Sequence, residues 1–370
     1  MNFKLILRNI RHLVNDLENH SQLFVDIHFS SHYDKKVLID NHYHTYFGGN
    51  HTMKKLHYLL VTILIIALLA ACGNKSDAKK DTETKTNDND STAYMVEHAM
   101  ESTEIPNTPK RIVILTNEGT EALLALGIKP VGAVQSWVGD PWYPHISDQM
   151  TDVEVVGTES QINVEAIAKL KPDLIIGNKM RQEEIYPQLK AIAPTIFAEA
   201  LRGDWKENFR LYAKAVNLEE KGEEVLDNFD GRVAQLQEKF ADKLDKKISL
   251  IRFIAGDVRI YHKDSFAGVI LEQIGFARPE SQNVDDLAET NVSEERIPAM
   301  DGDILFYFTY ETGNGEANTL EKEWINNPLF KNLEVVKADN IHKVDDSIWN
   351  TAGGVIAANL MLDDLENKLQ

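Results

Sequence analysis

The chain has 370 residues, 43% of them hydrophobic, which is ample for a buried core and for more than one domain. Its formal net charge of −19 disfavours a nucleic-acid partner, because a phosphate backbone would be repelled rather than neutralised. The single cysteine, Cys72, excludes an intrachain disulfide and any cysteine-built metal cluster.

Residues 1–52 hold seven of the twelve histidines and show no convincing periodic pattern. A histidine-rich metal tail is one reading. The preferred expectation is that this stretch is upstream DNA translated in frame, with Met53 as the true start. Gly48-Gly49 can be encoded GGAGGN, a ribosome-binding site a short distance before Met53. Met53-Lys54-Lys55 opens a basic stretch, and Leu59 to Ala71 is an apolar run interrupted only by Thr62. The run is shorter than the roughly 20 residues a membrane span needs, but it suits the core of a signal peptide over 53–71. It ends Leu69-Ala70-Ala71-Cys72, and small residues directly before a cysteine resemble the bacterial lipobox. In that reading Cys72 accepts a diacylglycerol and becomes the first mature residue. Residues 73–92 contain no large apolar side chain, so 72–94 reads as a flexible tether.

Beyond the tether, strand and helix alternate. Arg111 to Leu115 is a short apolar strand, Glu118 to Leu126 a helix stopped by Gly127, and Val131 to Val134 a strand. Asn163 caps a helix over Val164 to Leu170 that Pro172 ends, and Leu174 to Ile176 is a buried strand. Residues 183–193 read as helix, and Thr195 to Phe197 as strand. Such alternation predicts a mostly parallel sheet covered by helices. From Trp205 to about Leu244 the apolar residues recur at spacings of three and four, which makes two amphipathic helices and suggests a stiff connector. The alternation then restarts. Ile248 to Ile254 is strand, Ser265 caps a helix stopped by Gly275, and Ile304 to Phe308 and Ile341 to Val344 are strands. A short helix begins at Glu321, and Ala352 to Leu369 forms the closing helix. The halves echo each other: Glu165 to Asp173 and Glu295 to Asp303 each lead into a buried strand. The fold class is therefore α/β, in two similar lobes.

Three stretches taken in order, Lys110 to Leu115, Leu124 to Gly132 and Asn163 to Ile176, resemble the periplasmic-type binding proteins for ferric siderophores and cobalamin, which feed ABC importers. The resemblance covers about 95–370. It implies two Rossmann-like lobes, 95–212 and 245–370, joined by one long rigid helix at 213–244, with the ligand in the cleft between them. Val134 to Trp137, Asn178 to Tyr186, Leu201 to Lys206, Ile251 to Phe253, Arg259 to Tyr261 and Ile348 to Asn350 are most similar to Gram-positive receptors for citrate-based carboxylate or mixed hydroxamate siderophores. With that function in view, Asp40 to His44 is notable: it can be encoded GATAATCATTATCAT, which resembles the operator of iron-responsive repressors.

A ferric siderophore of this kind is anionic and its iron is already wrapped, so the receptor needs cations for oxygen edges and no metal ligands or cofactor of its own. Arginine supplies a planar fork that stays charged. Arg181 and Arg202 follow strands of the first lobe, and Arg252 and Arg259 bracket a strand turn in the second. Trp137, Trp349 and Tyr261 offer flat walls and a hydroxyl, with Tyr310 as a further candidate. The resemblance also implies that one glutamate on each lobe, Glu165 and Glu272, docks onto arginines of the permease dimer. The expected protein is a monomer held by its lipid to the outer face of a Gram-positive cell membrane. A receptor of the same fold for haem or cobalamin is the alternative. No Gly-x-Ser-x-Gly, His-Glu-x-x-His or P-loop is present, so an enzyme is not expected.

Overall fold

The computed structural model describes residues 93–370. The signal segment 53–71, Cys72, most of the tether and residues 1–52 lie outside the described residues. A hairpin comes first, β1 (Tyr94–Glu97) against β2 (Ser102–Ile105).

The first lobe is built on β3 (Ile112–Ile114), β4 (Gly132–Ala133), β5 (Glu154–Val155), β8 (Leu174–Asn178) and β9 (Thr195–Ala198), while β6 (Gly157–Thr158) and β7 (Gln161–Ile162) form a small hairpin beside them. The sheet order is β5-β4-β3-β8-β9, and every neighbouring pair is parallel. A parallel sheet buries both faces, and the strand pattern shows it. Ile112, Ile114, Leu174 and Ile176 point into one core, whereas Val113, Leu115 and Ile175 point into another.

The second lobe is mixed. β10 (Ile248–Ile254), β11 (Asp257–Tyr261), β12 (Ala288–Glu289), β13 (Ile304–Tyr310) and β14 (Ile341–Lys343) lie in the order β12-β11-β10-β13-β14. β10, β13 and β14 run parallel, but β11 doubles back on β10 through a tight turn and pairs antiparallel. That hairpin departs from the expected parallel rhythm, and it brings Arg259 directly opposite Arg252.

The helices follow the caps. α1 (Asn117–Ala125) starts at Thr116, whose side chain accepts from the Gly119 N–H, and α2 (Val164–Leu170) starts at Asn163, which accepts from Ala166 N–H. Between the sheets come α3 (Trp205–Ala215) and α4 (Glu219–Lys239), separated by a turn with Asn217 at φ 58°. The passage expected as one helix over 213–244 is thus divided. α5 (Phe266–Ile274) is capped by Ser265 and closed by Gly275 at φ 98°, α6 spans Glu316–Asn326, and α7 (Val355–Lys368) ends the chain. The helix expected over 183–193 is broken into a short turn and Tyr186–Lys190.

The echo between the halves has a physical cause. The Asp173 carboxylate accepts from the Lys110 and Arg111 N–H groups, and the Asp173 N–H donates to Arg111 O. Asp303 does the same to Lys247, accepting its N–H and donating to its carbonyl. Each aspartate clamps the entry of the neighbouring parallel strand. α7 meanwhile returns to α1: Glu121 accepts from the Ala357 N–H, an otherwise orphaned donor in the first turn of α7. A Cβ on Gly354 would lie 2.6 Å from Glu121 Oε2 and 2.9 Å from Glu118 O, so only glycine permits this approach.

Candidate functional site

The site lies between the lobes and is built from strand ends. Past the end of β8, Gln182 accepts from Asn178 N–H and donates to the carbonyls of Leu115 and Glu159, which fixes the short turn carrying Arg181. Arg181 Nε lies 3.0 Å from the buried Glu159 carboxylate, and its guanidinium stands 5.4 Å from the centre of the Trp137 ring. Glu159 is itself held by the backbone and side-chain amides of Asn117, at 2.7 and 2.9 Å. Past β9, Arg202 sits at φ 86°, a backbone region that a residue with a Cβ seldom occupies. Among the described residues no carboxylate pairs with it. Partial desolvation first, then the charges of Arg181 and Arg259, lower its guanidinium from the ordinary value.

From the second lobe, Arg252 and Arg259 face each other across β10 and β11. Two like charges in that register repel unless each is neutralised. Arg252 makes a bidentate pair with Asp346, at 2.6 and 3.0 Å, and donates to the Tyr261 hydroxyl at 3.2 Å. Arg259 pairs with Asp257 at 2.6 Å. Burial alone would lower the Arg252 guanidinium, but the Asp346 carboxylate and Tyr261 outweigh it and hold Arg252 above its ordinary value. The Tyr310 ring lies 5.0 Å from the Arg252 guanidinium, and the Tyr310 hydroxyl donates to Trp137 O across the cleft at 3.2 Å.

The resulting cleft has a volume of about 370 Å³. It gathers all four arginines with Trp137, Tyr261 and Tyr310, although these come from six separate stretches of sequence. Trp349 is not in it. That ring is fully buried, stacks on Phe306 at 4.5 Å and donates to Asp364 at 2.9 Å, so it belongs to the core, while the following Asn350 and Thr351 reach the wall. Glu165 is exposed in the first turn of α2, and Glu272 is exposed near the end of α5. Lys263 lies 3.6 Å from Glu272 and supplies the countercharge which that helix end lacks. Glu118 and Glu159 line the cleft and were not expected there. In the sequence Glu118 carries only the signature of an acid in a helix's first turn, and nothing there marks it as buried.

Comparison with known proteins adds the context. The sequence profile of the family described as "Periplasmic binding protein" matches residues 112–347. A Bacillus subtilis protein, "Probable siderophore-binding lipoprotein YfiY", is 52% identical over 321 residues, covering 85% of this chain and 97% of the relative. The "Fe(3+)-citrate-binding protein YfmC" of the same organism is 31% identical, covering 84% of this chain and 96% of the relative. Among solved structures, Staphylococcus aureus SirA complexed with staphyloferrin B superposes with a TM-score of 0.70 at 36% identity, covering 75% of this chain and 98% of SirA.

Proposed function

The chain belongs to the periplasmic binding protein family, and from that premise we propose that it captures an anionic ferric siderophore outside the cell and delivers it to an ABC importer. The siderophore is of the citrate-based carboxylate or mixed hydroxamate type. One observation carries the reading. Four guanidiniums converge on one cleft, and among the described residues Arg202 has no carboxylate partner, is repelled by its neighbours and is seated on strained backbone. An arrangement of that kind costs free energy in the empty protein and is relieved when an oxygen-rich anion enters. The volume sits within the roughly 300–1,000 Å³ of small-molecule sites.

The family consists of substrate-binding proteins, and the reading here is binding without catalysis, with no resident cofactor. Iron arrives as cargo. Two relatives are named for a siderophore and for ferric citrate, and SirA was solved with staphyloferrin B; none of these names points to haem or cobalamin. Delivery is assigned to Glu165 and Glu272, exposed on separate lobes and apart from the cleft, as contacts for the two permease subunits. Cys72 is assigned to the lipid anchor, which holds a monomer on the outer membrane face. Among the described residues no helix is long and apolar enough to cross a membrane.

The test is quenching of tryptophan fluorescence, for which Trp137 in the cleft wall is a built-in reporter. Ferric staphyloferrin B and ferric citrate are expected to quench. A neutral ferric trihydroxamate, haemin and cobalamin are expected to bind more weakly or not at all. Tighter binding of haemin or cobalamin than of every ferric carboxylate overturns the proposal.

A further inference from the structure

We propose that Glu118 is a further ligand-contacting residue of the cleft, meeting an oxygen of the bound anion as a hydrogen-bond donor through Oε2. The inference rests on the anion-binding reading above and deepens it.

Glu118 is 5% exposed and lines the cleft. Its two oxygens are treated differently. Oε1 accepts from Asn208 Nδ2 at 2.7 Å and from the Tyr212 hydroxyl at 2.9 Å, which fixes the side chain against α3. Oε2 is buried and has no hydrogen-bond partner among the described residues. A buried carboxyl oxygen left unsatisfied is costly and needs an explanation. A ligand oxygen supplies one. Two anionic oxygens would repel, so the contact requires a proton between them, and Oε2 is the atom free to carry it.

The surroundings favour that proton. Burial pushes the Glu118 carboxyl up to about 8, outweighing the Tyr212 and Asn208 hydrogen bonds that pull it down, and the charges of Glu159 and Asp204 push in the same direction as burial. The N-terminus of α1 favours ionisation, but by far less than full burial opposes it. Tyr212 comes from α3, and its phenol is held well above its ordinary value by burial. Asp204 precedes α3. Glu159, on the turn between β6 and β7, is ion-paired with Arg181. Glu121, one turn along α1, is engaged with His145 and α7. From the stretch before α7, the uncharged Gly353 and Gly354 approach Glu118.

The experiment compares wild type with Glu118→Gln and Glu118→Met, using ferric staphyloferrin B and ferric citrate as probes at pH 7 and pH 9, with near-ultraviolet circular dichroism confirming each fold. Wild-type affinity is expected to fall roughly tenfold between the two pH values, because only the protonated tenth of the protein binds at pH 9. Changes in the ferric complex itself, and in other protein groups, are shared by all three proteins. The Gln amide keeps a donor that does not titrate, so its pH ratio is expected to stay within about twofold beyond that shared background. Met removes the donor and is expected to bind at least several-fold more weakly than Gln at pH 7. Equal pH ratios in wild type and Gln, or equal affinities of Gln and Met, overturn the role of Glu118. Absence of quenching by either probe in the wild type at pH 7 overturns the anion-binding reading instead.

Discussion

Arg202→Gly separates what a residue does for the ligand from what it does for the fold. Arg202 holds φ 86°, where a residue with a Cβ carries strain on the order of 1–3 kcal/mol. Glycine carries none of that strain, although its freer unfolded chain gives back about 0.5–1 kcal/mol. No carboxylate partner among the described residues is lost, and repulsion from Arg181 and Arg259 is removed. The empty variant is therefore expected to be as stable as wild type or more stable, by up to about 2 kcal/mol, seen as a Tm rise of at most a few degrees. Binding is expected to move the other way. Loss of one charge-assisted contact in the cleft costs about 1.5–3 kcal/mol, or roughly ten- to hundred-fold in Kd. Thermal unfolding of the ligand-free protein and fluorescence titration with ferric staphyloferrin B measure the two effects on the same sample. A variant that loses stability while binding normally refutes the reasoning, since Arg202 would then be a structural residue.

Arg252 is expected to behave differently. Arg252→Ala leaves Asp346 buried without its partner, so about 3–5 kcal/mol of stability should be lost together with affinity; an unchanged denaturation midpoint would show the pair to be dispensable to the fold. Glu165→Ala combined with Glu272→Ala should leave siderophore affinity nearly intact and cut uptake of radioactive iron sharply, with lysine at both positions worse than alanine. Parallel loss of binding and uptake would place these glutamates in the fold or the cleft instead. Cys72→Ala should abolish incorporation of a labelled fatty acid and release the protein from the membrane, and equal label in the variant would sink the lipid anchor.

Residues with a periodic or capping signature were legible in the sequence. Asn163, Ser265 and Gly275 mark helix ends because their chemistry satisfies orphaned backbone groups locally, and each does so in the structure. The α/β alternation follows from strand and helix periods in the same way. The hairpin of β10 and β11 was harder to see as part of a parallel sheet, because its direction is set by the turn at Gly256 rather than by any apolar pattern. For the site, the arginines near strand ends could be picked out from the sequence, and the structure brings all four into one cavity. Burial did not follow from residue type. Trp349 and Tyr261 look alike in sequence as aromatic candidates, yet one stacks in the core on Phe306 and the other receives the Arg252 hydrogen bond. The pairing state of each arginine was hidden too, since Asp346 lies 94 positions from Arg252 and only the folded chain brings them together.

The cleft also resolves an apparent conflict in charge. A chain of net charge −19 should repel an anion at long range, yet four arginines point into one cavity. Solvent screening cuts off exposed charges beyond about 8 Å at physiological ionic strength, so the acidic exterior has little reach into the cleft. Inside, the desolvated walls weaken screening, and with three of the four arginines ion-paired the charge of Arg202 leaves a local positive excess. Their placement is already fixed before ligand arrives. Gln182 anchors the Arg181 turn, Asp346 locks Arg252, and Tyr310 bridges to Trp137 across the gap. The return of α7 onto α1 through Glu121 adds a second tie between the two lobes. A receptor assembled in this way spends little of its binding energy on ordering its own side chains. Much of what remains to be gained on binding is the relief of Arg202, the one cleft arginine that no carboxylate pairs with among the described residues.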